Sequence, residues 1–177
     1  MVMMVLDRDA VPEAALPVAE LADKMRLPDG WETVPGQFAR MGRHLAAAIA
    51  SVETRTGKVL LRREVTVAGS CPSDGRTLLP IAPVQYVVEA RVGGVIVDVP
   101  SVEPDVHHPV IDVSPARPGM QLQLVLDAGF GSWADVPPAL AQAVLIVAEG
   151  LELALEEGGT VRDLIAPWRP TRLRRPA

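Results

Sequence analysis

Gln121-Leu122-Gln123-Leu124-Val125-Leu126, then Gly129-Phe130-Gly131, then Pro138-Ala139-Leu140-Ala141-Gln142-Ala143-Val144-Leu145-Ile146-Val147-Ala148: across this stretch the chain changes its period. The first piece alternates as a strand does, and the glycine-flanked Phe marks a loop. Pro138 then opens a long helix at its first position, where the missing N–H costs nothing. The pattern predicts a helix to about residue 157, stopped by Gly158-Gly159. From residue 140 to 148 it is apolar almost all round, apart from Gln142. A surface helix of a monomer should show a polar face there. Leu140, Val144, Leu145, Val147 and Leu151 are therefore candidates for a core or a subunit interface.

Upstream, other extended pieces precede that strand. Val84 to Val92 reads as one, and Gly93-Gly94 before Val95-Ile96-Val97 is a two-residue hairpin signal. Residues 58–68, 77–81 and 110–113 are further strand candidates, 71–75 is a turn and 100–109 a loop. Before the strands, Phe38, Met41, Leu45, Ile49 and Val52 form one stripe of a helix over 37–56, with Gly57 placed to cap it. Residues 17–25 read as a shorter helix opened by Pro17, and residues 1–16 show no clear period. After the long helix, 161–166 adds a last helical turn, which Pro167-Trp168-Arg169-Pro170 breaks.

Strands grouped together with helices at both ends argue for an α+β fold with a small, mainly antiparallel β region. The expected organisation is an N-terminal arm at 1–16, one α+β domain at 17–166 and a basic C-terminal arm at 167–177. A chain of 177 residues is long enough for one such core. With 49% hydrophobic but only 3% aromatic residues, that core is built from Val, Leu, Ala and Ile.

The net charge of −5 does not write nucleic-acid affinity into the whole chain. The sign is uneven, however. Arg162, Arg169, Arg172, Arg174 and Arg175 stand against Asp163 alone at the C-terminal end, behind an acidic body. That layout suits a protein that binds a partner. Trp168 and Leu173 add apolar anchors to the Arg residues, the types that dominate interface hot spots. The single Cys71 forms no intrachain disulfide, and the apolar start is interrupted at once by Asp7, Arg8 and Asp9. The apolar run in the long helix is far short of the ~20 residues that span a bilayer. These features predict a cytoplasm-like compartment or a particle assembled there, with no membrane partner.

Catalytic motifs are sparse. His107-His108 are adjacent, with no Cys or further His at ligand spacing, and read as a solvated loop with Asp105. Cys71 beside Pro72 has no general base nominated for it. Gly129-Phe130-Gly131-Ser132 lacks the Lys of a phosphate loop. Glu149, Glu152, Glu156 and Glu157 lie at helical spacing and read as a solvated face. No catalytic residue, metal or cofactor is assigned, and the sequence is read as a structural, non-enzymatic protein.

Five short segments in order carry a resemblance. Thr56-Gly57-Lys58-Val59-Leu60 closes a helix, and Leu79-Pro80-Ile81-Ala82-Pro83-Val84-Gln85-Tyr86-Val87 leads into a strand. Ala128-Gly129-Phe130-Gly131 and Val136-Pro137-Pro138-Ala139-Leu140-Ala141-Gln142-Ala143 precede and open the long helix, and Leu164-Ile165-Ala166-Pro167-Trp168-Arg169 closes the chain's last element. Together they resemble the head–tail connector (adaptor) proteins of long-tailed phages and phage-like gene transfer agents, with Trp168 where that family commonly has Tyr. The resemblance implies a homo-oligomeric ring of about twelve copies beneath the capsid portal, in the neck of a virion or phage-like particle assembled in the bacterial cytoplasm. Such a ring extends the DNA channel without reading sequence and offers a platform to the next neck, stopper or tail protein. On that reading Trp168, Arg169, Arg172, Leu173, Arg174 and Arg175 are the candidate portal-binding residues. Two alternatives stay open on the residues alone. One is a metal-binding or enzymatic protein using His107, His108 and Asp112, and the other a DNA-binding module using the Arg-rich tail.

Overall fold

Alternating side chains sort a strand into two faces, and that sorting builds the larger of the two sheets here. The computed structural model describes residues 3–113, 118–155 and 158–169. Its strands are β1 (Met4–Arg8), β2 (Arg63–Ser70), β3 (Arg76–Leu78), β4 (Val84–Val92), β5 (Val95–Val97), β6 (Val102–Glu103), β7 (Val110–Asp112) and β8 (Gln121–Ala128). Its helices are α1 (Val18–Lys24), α2 (Gln37–Thr56), α3 (Pro138–Leu153) and α4 (Gly159–Ile165). The fold is α+β, as the grouping of periods predicts. The chain forms two compact units, Met1–Ala10 with Gly57–Phe130 and Val11–Thr56 with Gly131–Ala177. Each draws on two separated stretches of sequence, so neither coincides with the segments 1–16, 17–166 and 167–177.

The first unit is all β. A five-stranded antiparallel sheet runs in the order β1-β2-β8-β4-β5, beside a three-stranded sheet β3-β7-β6. Register explains its core. Val5, Val67, Leu124, Ala90 and Val97 stand in one row across five strands. Val65, Leu126 and Val87 stand in another. These rows join Leu79, Ile81, Ile111 and Val113 in one buried cluster. The rows between them carry Gln123 and Arg91, or Thr66, Val125 and Glu89, all half-buried. One packed and one open face is the usual state of an antiparallel sheet.

Two places in this unit require glycine. The hairpin turn between β4 and β5 has φ of +59° and +82° at Gly93 and Gly94, as a two-residue loop of matching twist demands. Gly129 has φ +128°, and a Cβ there would lie 2.6 Å from the Arg62 Cα. Within the segment read as an N-terminal arm, Met4–Arg8 is a strand paired along β2, and Met3 is buried. The strand expected over 58–68 starts late, at Arg63. Val59, Leu60 and Leu61 are all buried in succession, which strand alternation on a one-sided sheet cannot provide. The expected loop at 100–109 holds the short β6.

The second unit is helical. α2 packs on α3, α1 touches both, and α4 packs on α3. Met41, Leu45, Ile49 and Val52 of the expected stripe are buried, but Phe38 is about half exposed. It lies in the first turn of α2 and stacks on Trp31, with ring centroids 6.3 Å apart and planes 6° from parallel. Before α3, Asp135 Oδ2 accepts from the Ser132 N–H at 2.9 Å and the Ser132 hydroxyl at 2.7 Å, closing a capping box. α3 begins at Pro138 as predicted but ends at Leu153 rather than near 157. Ala154 takes the left-handed conformation at φ +53°, and the Leu155 N–H returns to the Gly150 carbonyl at 2.9 Å. This Schellman-type closure ends the helix before the glycine pair is reached. Gly158 instead precedes α4, which is followed by a 3₁₀ turn at Ala166–Trp168.

Candidate functional site

The five residues singled out on α3 divide. Leu140 and Val144 are fully enclosed and Leu145 nearly so. Val147 is half-buried, and Leu151 is 47% exposed. Beyond Leu151 the chain leaves Leu153 and Leu155 in the open, at 52% and 62%. Ile146, Val147, Leu151 and Leu155 line a shallow cleft with Glu149, Gly150 and Gly158, and Leu153 lies outside it. The alternation-free apolar run pointed to this helix. Its exposed end lies beyond that run and had no separate signal.

A second apolar surface lies along α2. Val11, Leu16, Phe38, Ala39, Gly42 and Ala46 line a groove, with Glu13 and Arg43 at its side. Leu16 reaches within 3.7 Å of the position a Cβ on Gly42 would take. Phe38 was expected in the core stripe, yet it stands at this surface.

The glutamates of α3 do not form a solvated face. The side chain of Glu152 is 8% exposed and meets Arg40 Nη2 at 2.7 Å and His44 Nδ1 at 2.8 Å. The second is a close approach without hydrogen-bond geometry, which leaves His44 Nδ1 and Glu152 Oε2 buried without a hydrogen-bond partner. Glu149 pairs with Lys24 at 3.1 Å. The correction has a plain cause: α2 passes beside this turn of α3, so a residue at a polar helical position ends between two helices. Glu156 and Glu157 lie outside the described residues.

At the C-terminal end, Trp168 is half-buried in its 3₁₀ turn and Arg169 is exposed. Arg162 is exposed on α4, 3.8 Å from Asp163. Arg172, Leu173, Arg174 and Arg175 lie outside the described residues.

The His107-His108 loop is organised by its own chain. Asp105 Oδ1 accepts from the backbone N–H groups of His107 at 2.7 Å and His108 at 2.6 Å. Those N–H groups, His108 first, hold the carboxyl below its ordinary value. Lys58 is 1% exposed, and its ammonium donates to the Val106 carbonyl at 2.6 Å. Burial lowers the Lys58 pKa, and the Asp105 charge opposes that. Burial, then the nearby Lys58, lowers the His107 pKa. A buried cation thus anchors the loop, and Lys58 is a positioning residue that spacing alone did not single out. Asp112 lies on β7, opposite Arg76. Cys71 is buried, with its N–H on the Met120 carbonyl at 2.9 Å. Among the described residues no three His, Cys, Asp or Glu side chains gather to hold a metal. No helix among them is long and apolar enough to cross a membrane.

The open face of the large sheet carries paired charges beside the exposed Tyr86 and Val88 of β4. Arg62 donates to Asp127 at 2.7 Å and sits 6.0 Å from the Tyr86 ring centroid, and Arg91 donates to Glu89 at 2.6 Å. The molecule therefore presents apolar surfaces on its helical unit, a charged sheet face, an anchored polar loop and a basic C-terminal end.

No protein-family model matches the chain, and no curated protein does. Solved structures do. The chain is 33% identical to a chain in the neck of an empty GTA particle computed with C6 symmetry, covering 98% of both at a TM-score of 0.82. It is 34% identical to a chain in the virion of the native gene transfer agent (GTA) particle, again over 98% of both, at 0.80. A chain in the neck of the native GTA particle computed with C12 symmetry is 30% identical over 97% of both, at 0.72. Identity at this level over nearly the whole of each chain reaches every segment quoted for the resemblance. The chain belongs to the head–tail connector (adaptor) proteins of long-tailed phages and phage-like gene transfer agents.

Proposed function

We propose that the protein is a structural subunit of the particle neck that assembles with copies of itself into a ring of about twelve, beneath the capsid portal. In that position it extends the channel through which DNA passes and offers a docking platform to the next neck or tail protein. The observation that carries this reading is the 33% identity, over 98% of both chains, with a protein of a GTA neck. The apolar surfaces on α2 and α3 support it, because a ring subunit must cover part of its surface with neighbours. The basic end supports it as well. Trp168 and Arg169, followed by Arg172, Leu173, Arg174 and Arg175, supply apolar anchors and charge-assisted donors for an acidic portal surface.

Two measurements test it. Producer cells lacking the protein should yield DNA-filled heads without tails, as seen by electron microscopy. Complete particles in its absence would overturn the reading. A chain ending at Arg169 keeps every described residue and should keep its thermal melt while losing co-purification with the portal. Undiminished co-purification would remove the C-terminal arm from the docking role and leave the ring itself standing.

A further inference from the structure

An edge strand has one neighbour, so the backbone N–H and C=O groups on its other side offer hydrogen bonds to a further strand. The large sheet has two such edges, β1 and β5. The β1 edge is apolar on its outside, with Met4 62% and Leu6 55% exposed. Met3 before it is buried, and Met4, Val5, Asp7 and Arg8 pair along β2, so this edge is a fixed part of the sheet.

Beside it lies a shallow hollow of about 370 Å³, lined by Met4, Leu6, Ala68 and Gln121. Gly69 and Gly119 border the hollow with no side chain to fill it. Met4 stands opposite Ala68, and Ala68 opposite Gln123, in the row that continues to Arg91 on the open face. Leu6 is the extra residue of a bulge between Val5 and Asp7, and it lines the same hollow as Met4. Such a bulge limits pairing by strands that do not match it.

Charge marks the other end of the same face. Ala68, Thr66 and Glu64 alternate onto the open face of β2. Asp7 stands opposite Thr66, and the Asp9 N–H reaches the Glu64 carbonyl at 3.1 Å. Asp7, Asp9 and Glu64 are exposed, whereas Arg8 and Arg63 are half-buried. Arg63 donates to the Leu61 carbonyl at 2.9 Å, and Arg62 is taken up by Asp127. The exposed charge at this end is therefore acidic.

The chain's own second edge does not fit here. Neighbouring strands turn by roughly 20–25°, so β1 and β5, four steps apart, diverge by roughly 80–100°. Copies joined β5 to β1 would wind as a helical stack and could not close into the proposed ring. The β1 edge is left for a different protein.

We infer that the β1 edge receives an extended segment of another neck or tail protein as a sixth strand, with an apolar side chain in the hollow and Lys or Arg over Asp7 and Glu64. The inference rests on the proposed platform role and names the element that performs it. Main-chain hydrogen bonds hold the segment, and the side chains on one face select it. Side chains on one face recur every second residue, so the recognised pattern is apolar-x-basic-x-basic, read in either direction.

The test compares amide hydrogen exchange of the full chain as the free subunit and in purified complete particles. The amides of β1 should slow by roughly tenfold or more in the particle. In the same particles Leu6→p-benzoylphenylalanine, at an exposed position, should photocrosslink this chain to a segment of another protein carrying that pattern. Complete particles in which β1 exchanges as fast as in the free subunit would overturn the inference and leave the neck role standing. So would a link to another copy of this chain, a link to a segment without the pattern, or no link at all. Absence of the chain from complete particles, shown by mass spectrometry, would overturn the neck role and the inference together. In a second arm, Asp7→Lys should keep the subunit's melt and its co-purification with heads, and reduce the yield of complete particles by roughly tenfold. An undiminished yield counts against the acidic end as part of the docking element.

Discussion

The β unit and the helical unit handle their apolar residues differently. In the sheet, successive residues point to opposite faces, so Val65, Val67, Leu122, Leu124 and Leu126 go inward together. Between them Gln123, Asp127, Glu89 and Arg91 stay on the other face, where the charged ones pair with each other or with Arg62. The helical unit leaves Phe38, Val34, Leu151, Leu153 and Leu155 outside, and takes the Glu152 carboxylate inside beside Arg40 and His44. The β unit also leaves apolar residues in the open, among them Met4 and Leu6 on its edge strand, Tyr86 and Val88 on β4, and Val95 and Ile96 on β5. The difference teaches that a strand sorts its two faces residue by residue, whereas the faces of a helix are sorted by the neighbours that cover them.

The sharpest way to break this contrast is a charge inside the helical core. Val144→Asp should cost about 3–5 kcal/mol, because an unpaired carboxylate would sit at a fully buried position. A thermal melt should show loss of the folded helical unit. Val147→Asp, at a half-buried site, should keep a cooperative melt and fail at ring assembly instead. If both variants melt alike, the division of α3 into core and interface sides is wrong.

Next in size is a cavity in the β unit. Leu124→Ala should cost about 2–5 kcal/mol by chemical denaturation, since Leu124 is fully enclosed between two ladders. Ring assembly should persist wherever the variant remains folded. Loss of assembly at unchanged fold would place ring contacts on the sheet.

Glu152→Gln should destabilise by about 1–3 kcal/mol, because Arg40 would lose its charged partner in a largely covered place. The same substitution at Glu149, whose side chain is 29% exposed, should change stability by less than about 1 kcal/mol. Equal effects would show that the α2–α3 contact does not shelter Glu152.

The smallest effect concerns the polar loop. Asp105 has its carboxyl held below the ordinary 3.8 by the N–H groups of His108 and His107. A depressed value means the loop closure is fully present above that range and is lost as pH falls through the folded value. Asp105→Ala should therefore speed amide hydrogen exchange at His107 and His108 at neutral pH, with the global melt nearly unchanged. Exchange that stays slow would assign the loop's order to Lys58 alone.

Much of this was legible in the residues. The helix over 37–56, the strand over 84–92 and the hairpin at Gly93-Gly94 agree with the structure to the residue. Each has a strong local period bounded by residues that stop it. The end of α3 was misplaced because a left-handed Ala154 is a choice of packing, and a Gly-Gly pair is the louder local signal. The strand β1 was missed because an edge strand needs only one neighbour, and β2 lies more than fifty residues away in sequence.

The sequence by itself determined the α+β class, most of the elements and the family, since periodicity, caps and short ordered segments are local properties of the chain. Only the tertiary structure decided which apolar residues of a nearly uniform helix are enclosed and which stand open. It alone placed Glu152 between Arg40 and His44, and Lys58 beneath the Val106 carbonyl. The physical reason is that a helix's period says which residues share a face, while the neighbours that cover that face come from distant parts of the chain.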